Sequence, residues 1–323
     1  MTPESIWIVT PCYHDVTSFL RLREDIGREL ATRERTADAS VRFVVVDDAA
    51  GQDLDMDRLA GLGDVDVVVP PFNLGHQRGL VFGLRTQSGR ISATDLVLTL
   101  DADGEDRPED IPRLVDALVE PDAGPARVVL AARTRRQESA MFKIFYRLFK
   151  LLFRILTGTT IQSGNFAAYR GSVVHSLLRH PYFDLCYSST FISLRVPVVF
   201  VDCPRGTRYA GRSRMDRERL ILHGLRMLMP FMDRIALRAL GGLATLVAAM
   251  VVFHLVLLGL WVFTDVAISE WLLALGLALV IAALLGIVCC VILFALFAQS
   301  GGISLSGLEE AHGERIRNTS PRQ

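Results

Sequence analysis

The chain has 323 residues, of which 50% are hydrophobic, and its 35 Lys and Arg residues balance its 35 Asp and Glu residues. This length allows one ordinary domain with additional segments, and a net charge of zero gives no indication of a nucleic-acid partner. The five cysteines include no CxxC pair. The sequence therefore predicts neither a zinc site nor a disulfide framework, which is consistent with a reducing compartment.

The N-terminal part of the chain alternates short β-branched stretches with segments of helical periodicity. Strands are predicted over 5–9, 41–46, 65–69, 95–100 and 127–132, and helices over 16–33 and 108–120. This alternation predicts an α/β fold with a mainly parallel, Rossmann-like sheet and helices on both faces. In such open sheets ligands bind beyond the carboxyl ends of the strands, so the residues that follow the strands are the candidate site residues.

A basic amphipathic helix is predicted over 140–157. Four cations at spacings of four, three and four lie on one stripe of this helix: Lys143, Arg147, Lys150 and Arg154. Helices of this kind lie in membrane interfaces. The alternative is a helix that packs on its own domain with a solvated charged face. A second amphipathic, juxtamembrane segment is predicted over 216–238, interrupted near Pro230.

Two long apolar segments follow, at about 240–263 and 271–298. Each exceeds the roughly 20 residues that cross a bilayer core, so they predict a transmembrane hairpin over 239–298. The alternative is a very apolar buried helix pair in a soluble protein. The loop between the segments carries acidic residues and no Lys or Arg, whereas five arginines approach the first segment: Arg217, Arg219, Arg226, Arg234 and Arg238.

This charge asymmetry predicts the topology of the chain through the positive-inside rule. Residues 1–215 would form a cytoplasmic domain, since residues 1–10 lack the basic start and apolar core of a secretory signal. The polar tail, 299–323, is expected to be loose and also cytoplasmic. The sequence thus predicts a multi-pass protein of the cell inner (plasma) membrane.

Carboxylates are concentrated after two predicted strands. Two follow the second strand and three follow the fourth: Asp47 and Asp48, then Asp101, Asp103 and Glu105. Unpaired, these charges would repel one another, and a divalent cation such as Mg²⁺ or Mn²⁺ would remove that cost by binding carboxylates together with phosphate oxygens. In an extended Asp-Ala-Asp the two carboxylates point the same way, and Gly104 lets the backbone turn. The alternative is a strand-end turn with a solvated acidic rim.

Five motifs occur in a fixed order along the chain: Pro11 and Tyr13, Val46-Asp47-Asp48, Asn73-Leu74-Gly75-His76-Gln77, Asp101-Ala102-Asp103, and Arg208-Tyr209-Ala210-Gly211-Arg212-Ser213-Arg214. Their order and separations resemble those of the family 2 glycosyltransferases of the GT-A fold. The branch that the chain resembles most is that of the polyisoprenyl-phosphate sugar transferases, which includes dolichol-phosphate mannose synthase and the bacterial bactoprenol glucosyltransferases. The resemblance covers about 5–215, and the two apolar segments also match the bacterial members.

The resemblance implies an inverting, metal-dependent transfer of a sugar from a nucleotide sugar to a polyprenyl phosphate on the cytoplasmic leaflet. It implies nucleotide-sugar binding by six residues: Pro11, Tyr13, Asp47, Asp48, Asn73 and Asp101. The implied catalytic residues are Asp103, Arg208 and Arg214, and the implied ligands of Mg²⁺ or Mn²⁺ are Asp103 and Glu105. Lipid-phosphate or diphosphate binding is implied for six residues: Arg133, Arg135, Arg136, Arg208, Ser213 and Arg214. The implied partners include the lipid bilayer, and a homo-oligomer is compatible with the resemblance.

The chain departs from the family pattern at several positions. Ala49–Ala50 replace the usual Gly-Ser, Arg214 replaces Lys, and Asn165 and Ala167 replace an acid and a base of the bacterial relatives. Because position 165 is Asn in this chain, the catalytic role that the acid has been expected to play cannot be assigned to this position. Two alternatives stay open: a glycosyltransferase with a hydroxyl acceptor such as a glycolipid, and a non-catalytic membrane scaffold on the same fold. The sequence lacks the Gln-x-x-Arg-Trp motif of processive polysaccharide synthases, so polymerisation is not expected.

Overall fold

The computed structural model describes residues 3–120, 124, 126–133, 140–160, 163–210, 217–264 and 270–300. Contacts divide the chain into two compact units. The first unit contains the sheet and the helices around it. The second contains Leu148–Thr160 and the described residues between Phe231 and Ser300.

The first unit is built on one seven-stranded sheet. Its strands are β1 (Ser5–Cys12), β2 (Ser40–Asp47), β3 (Val65–Val68), β4 (Leu96–Thr99), β5 (Val128–Arg133), β6 (Ser163–Arg170) and β7 (Val198–Cys203). They lie in the order β3-β2-β1-β4-β6-β5-β7. The strands β1 to β4 are parallel, β6 is antiparallel to both β4 and β5, and β7 is parallel to β5. The predicted mainly parallel α/β sheet is confirmed.

The helices follow the strands in the predicted alternation. They are α1 (Val16–Ala31), α2 (His76–Gln87), α3 (Ile111–Val119), α4 (Ala140–Thr157), α5 (Gly171–Leu177), α6 (Pro181–Leu185), α7 (Tyr187–Ser193), α8 (Arg217–Leu228), α9 (Met232–Phe263) and α10 (Glu270–Ser300). Successive side chains of β1 enter two separate cores, with Ile8 facing α1 and α3 and Val9 facing α2 and α7. Helices therefore cover both faces of the sheet, and the inner strands are apolar on both sides.

The sequence prediction is correct for β1 to β5 and omits two strands. The omitted strand β6 contains Asn165 and two alanines, so its composition does not favour a strand. It forms because β4 and β5 flank it and pair with its backbone from both sides. The second omitted strand, β7, lies at the edge of the sheet next to β5.

The second unit contains long apolar helices. One helical stretch within Ile221–Phe263 has the length and composition of a membrane-crossing helix, with a mean hydropathy of 2.6 and no buried residues in its most apolar window. α10 has 31 residues, but its described apolar stretch, Gly276–Cys289, is shorter than a bilayer core requires. The second span of the hairpin therefore stays a prediction. The connecting loop, 265–269, and the tail from 301 lie outside the described residues.

Candidate active site

The carboxyl ends of β1, β2 and β4 bring the predicted site residues to one edge of the sheet. β1 lies between β2 and β4, and all three strands run in the same direction. Asp47 is the last residue of β2, and Asp101 lies two residues beyond β4. Parallel strands end at the same edge, so the two acidic motifs meet around the end of β1.

The carboxylate of Asp47 fixes the turn that follows β2. Its two oxygens accept hydrogen bonds from the backbone amides of Ala49 (3.0 Å) and Gly51 (2.6 Å), and the residue is 1% exposed. The turn takes left-handed backbone angles at Ala50, with φ 55°, and at Gly51, with φ 83°. The Ala49–Ala50 departure from the family pattern therefore still forms a tight turn, and Asp47 stabilises it.

The second carboxylate of this motif, Asp48, connects β2 to the beginning of α2. Its Oδ1 accepts a hydrogen bond from the amide of Gly75 (3.0 Å), and the side-chain amide of Asn73 donates to its backbone carbonyl. Burial raises the pKa of Asp48, while the charge of His76 and the amide of Gly75 act in the opposite direction. The Val-Asp-Asp and Asn-x-Gly motifs thus form one joined loop.

Asp103 forms an ion pair with an arginine of the late motif. Nη2 of Arg208 lies 2.5 Å from Oδ2 of Asp103, and the amide of Glu105 donates to Oδ1 at 2.9 Å. Burial, together with the charge of Asp101, raises the pKa of Asp103 to about 7, although the Glu105 amide and Arg208 oppose this shift. The neighbouring groups therefore neutralise the negative charge of the ionised Asp103 only in part. A bound cation is most favourable beside such a carboxylate.

The loop after β7 packs directly on the loop after β4. Nε of Arg205 lies 3.1 Å from Oε2 of Glu105, and the amide of Gly206 donates to the carbonyl of Glu105 at 2.8 Å. Gly104 has φ 82°, and a Cβ at this position would lie 2.5 Å from Cε2 of Tyr209. No sequence pattern predicted a role for Arg205, although this residue lies three positions before Arg208 of the late motif.

His76 is a second site residue to which sequence analysis gave no role. Its Nε2 lies 2.8 Å from Oδ1 of Asp101, and the side-chain amide of Asn165 donates to the same oxygen at 3.3 Å. Gln77 links this group to the fold by donating to the side chain of Asn165. Burial alone would lower the pKa of His76, but the charge and hydrogen bonding of Asp101 raise it overall. The signal available in the sequence was the Asn73–Gln77 motif.

The loop after β1 presents an exposed aromatic ring. Tyr13 is 40% exposed, and its ring meets that of His14 edge-on at 4.7 Å between centroids. His14 has φ 51°, and its Nδ1 lies 3.7 Å from Oδ1 of Asp53. Pro11 is buried. The predicted base-binding roles of Pro11 and Tyr13 stay predictions.

Several predicted phosphate-binding residues lie beyond the described part of the chain. Arg135, Arg136, Ser213 and Arg214 fall outside it, and Arg133 is the last residue of β5, with its side chain undescribed. Among the described residues, no group of three or more His, Cys, Asp or Glu side chains has a geometry that could hold a metal ion.

Fold and site together define an α/β protein with a carboxylate-rich site at the carboxyl ends of parallel strands. The family model of glycosyl transferase family 2 matches residues 8–178, which is more than half of the chain. The chain belongs to this family, and the predicted membership is confirmed.

The curated relatives are undecaprenyl-phosphate 4-deoxy-4-formamido-L-arabinose transferases. That of Sodalis glossinidius is 30% identical over 203 residues, which cover 60% of this chain and 56% of the relative. That of Pseudomonas aeruginosa (strain LESB58) is 30% identical over 181 residues, which cover 53% of this chain and 48% of the relative. The chain thus spans about half the length of the curated relatives that it matches.

A solved structure with a similar fold is the mannosyl-3-phosphoglycerate synthase of Rubrobacter xylanophilus. It is 18% identical and superimposes with a TM-score of 0.49 over 72% of this chain and 74% of that chain. A similarity of this size supports no argument about activity.

Proposed function

We propose that this protein transfers a sugar from a nucleotide sugar to a polyprenyl phosphate at the cytoplasmic face of a membrane. Family membership and the names of the curated relatives support this class of reaction. The observation that carries the proposal is the ion pair between Arg208 and Asp103, which joins the late arginine motif to the Asp-x-Asp loop. The pair brings a guanidinium group, which can donate to phosphate oxygens, to the carboxylate that would hold a cation.

The described residues contain no group of three protein ligands, but one or two carboxylates at the end of β4 would suit a divalent cation whose other ligands are substrate phosphates. They offer hard carboxylate oxygens, which Mg²⁺ and Mn²⁺ prefer, and the raised pKa of Asp103 indicates a carboxylate that lacks sufficient positive charge. Asp103 would hold the ion. Glu105 could bind it only after its carboxylate had released the hydrogen bond from Arg205. The ion would supply positive charge for the departing nucleoside diphosphate. Arg208 would then donate to the phosphate oxygens at the same place.

The site favours an acceptor that does not need a general base. A phosphate monoester has a second pKa of about 6, so it is already an anion near neutral pH and can attack the anomeric carbon directly. A hydroxyl acceptor must lose its proton during attack and needs a placed base. Asn165 lies beside Asp101, where bacterial relatives carry an acid, and an amide cannot serve as that base.

One observation favours a hydroxyl acceptor as the second candidate. The His76–Asp101 pair has the composition of a general base with its orienting carboxylate. The pKa of His76 is raised, however, so the imidazole holds its proton to higher pH and is a poorer proton acceptor near neutrality. The lipid phosphate is therefore the preferred acceptor.

Membrane attachment forms part of the proposal. α9 has 32 residues, and α4 exposes apolar side chains between its cations: Leu148, Leu151, Leu152 and Ile155. We place α9 across the bilayer and α4 in its interface. Single cysteines at Ser269 and Ser320, in a background without native cysteines, would test the topology in intact cells. Labelling of position 320 from outside would contradict cytoplasmic termini.

The decisive experiment uses the purified full chain with a panel of labelled nucleotide sugars. Each is incubated with polyprenyl phosphate, with the free prenol or with diacylglycerol, in Mg²⁺, Mn²⁺ or chelator. We expect metal-dependent transfer to the lipid phosphate alone. Transfer to a free alcohol, with none to the lipid phosphate, would establish the hydroxyl-acceptor alternative instead.

A further inference from the structure

A run of hydrogen bonds connects Asp101 to a backbone amide in α7. The amide of Ser188 donates to Oε1 of Gln77 at 3.0 Å, and Nε2 of Gln77 donates to Oδ1 of Asn165. Nδ2 of Asn165 in turn donates to Oδ1 of Asp101 at 3.3 Å. These residues belong to α7, α2, β6 and the loop after β4. We call this run the amide link, and it ties the acidic loop to three elements of the surrounding fold.

The direction of the amide link is fixed at its Ser188 end. Ser188 is buried in the first turn of α7, where backbone amides have no acceptor within their own helix. A backbone amide can only donate, so the atom of Gln77 that faces it must be the oxygen. The nitrogen of Gln77 then faces the oxygen of Asn165, and the nitrogen of Asn165 is left for Asp101. The link therefore has one arrangement, in which Asp101 receives an N–H.

The backbone of Asn165 is fixed as well as its side chain. Oγ1 of Thr99, the last residue of β4, donates to the carbonyl of Asn165 at 2.6 Å. The same hydroxyl lies 2.6 Å from the hydroxyl of Tyr187, and both Thr99 and Tyr187 are fully buried. The position of Asn165 relative to the end of β4 is therefore set by buried hydrogen bonds on both sides.

Two contacts converge on one oxygen of Asp101. Nε2 of His76 lies 2.8 Å from Oδ1, to which Asn165 also donates. Contacts from two directions on the same oxygen set the orientation of the carboxylate. The side chain of Asp101 is 22% exposed, so the oriented carboxylate is still accessible from solvent.

We propose that Gln77 and Asn165 are positioning residues that orient Asp101 toward the nucleotide sugar. The inference rests on the proposed function, in which Asp101 contacts the donor. An ionised carboxylate at position 165 could only accept hydrogen bonds, so it could not make this contact with Asp101. The amide of Asn165 thus has a task that an acid at this position could not perform.

The first test removes each member of the amide link in turn, without a change of charge. Gln77→Met keeps the length of the side chain and loses both hydrogen bonds, and Asn165→Ala removes the donor to Asp101. We expect each variant to raise the KM for the sugar nucleotide about 5-fold, because an oriented hydrogen bond to a charged group is lost. The kcat should change little, since donor binding contributes equally before and during the reaction. An unchanged KM in either variant would overturn the proposal.

Gln87→Met is the matched control. Gln87 lies about 15 Å further along the same helix, and its Oε1 accepts from Arg90 at 2.8 Å. This variant carries the same substitution in α2 and should keep the wild-type KM for the sugar nucleotide. A KM raised as much as in Gln77→Met would mean that any disturbance of α2 has this effect, which would also overturn the proposal.

The double variant separates a positioning role from a structural one. In the Asn165→Ala background Gln77→Met should not raise the KM further, because its connection to Asp101 is already lost. It should still lower the thermal midpoint, since the buried amide of Ser188 loses its acceptor. If the KM rose again in the double variant, Gln77 would act on the donor by another route and the amide link would be wrong.

A measurement without substrate tests the link independently of the proposed function. In the full chain with ¹⁵N-labelled asparagine, the side-chain amide signal of Asn165 is identified by its absence in Asn165→Ala. This signal should shift in Gln77→Met and stay in place in Gln87→Met. An unshifted signal in Gln77→Met would overturn the link.

The two hypotheses therefore fail separately. A wild-type protein that transfers no sugar and binds neither UDP nor GDP in isothermal titration calorimetry would contradict the proposed function, whereas the asparagine spectrum would still decide whether Gln77 orients Asn165. Sugar transfer with an unchanged KM in Gln77→Met would contradict the positioning role alone.

Discussion

The loops after β2 and β4 both carry paired carboxylates, but their negative charge is compensated in different ways. Asp47 is held by two backbone amides of its own turn, whereas Asp103 depends on Arg208 and stays poorly compensated. Backbone amides cannot leave without unfolding the turn, but a side-chain cation can be exchanged for a ligand. We therefore predict that the loop after β2 is mainly structural and that the loop after β4 takes part in the proposed reaction.

Asp103→Asn should have the largest effect on activity. The amide keeps the shape of the side chain and removes the charge that would hold a cation, so we expect a loss of about 100-fold or more in kcat/KM with an intact fold. Circular dichroism and sugar-transfer assays measure the two properties. Asp38→Asn, at an exposed position, is the matched control. Full activity of Asp103→Asn in chelator would show that the cluster is only a turn.

Gly104→Ala should destabilise the loop after β4 by about 2 to 3 kcal/mol. The new methyl group would meet the ring of Tyr209, and the backbone conformation is strained for any residue with a Cβ. Gly61→Ala is the control, because Gly61 has φ +90° with open space around it. Equal losses for the two variants in chemical denaturation would mean that contact with Tyr209 contributes nothing.

Asp47→Ala should lower the free energy of unfolding by about 1 to 2 kcal/mol. The substitution leaves the buried amide of Ala49 and the amide of Gly51 without their acceptor. Asp38→Ala serves as the control, since Asp38 is exposed. If Asp47→Ala abolished activity while denaturant midpoints were unchanged, the turn would be part of the reactive region and the comparison would be wrong.

The smallest effect concerns the pH dependence of stability. The pKa of Asp103 is about 7 in the folded state and 3.8 without the shift. The unfolded chain therefore loses this proton first, and the group disfavours folding increasingly as pH rises from about 4 to 7. Asp103→Asn does not have this titrating carboxyl group, so its thermal midpoint relative to that of the wild type should rise between pH 5 and pH 8, mostly below pH 7. A difference that falls with pH would contradict the raised pKa.

The sequence determined the parts of the protein that depend on local patterns. Apolar β-branched stretches predicted β1 to β5, because a strand buried on both faces needs such side chains. The charge-free segment from about 240 predicted the later part of α9 (Met232–Phe263), and the four regularly spaced cations lie within α4 (Ala140–Thr157). The acidic motifs were also placed correctly at one sheet edge, since parallel strands end together.

Tertiary structure decided which residues meet at that edge. β6 became a strand because two neighbours pair with its backbone, although its alanines and Asn165 favour no strand. The contact between Arg205 and Glu105 joins residues 100 positions apart, and the contact between His76 and Asp101 joins two different strand-end loops. Such pairs depend on the order of the strands in the sheet, which no local pattern encodes. The environment of each carboxylate is set by its partners, so the sequence located the acidic residues, whereas the fold gave Asp47 two backbone amides and Asp103 an arginine.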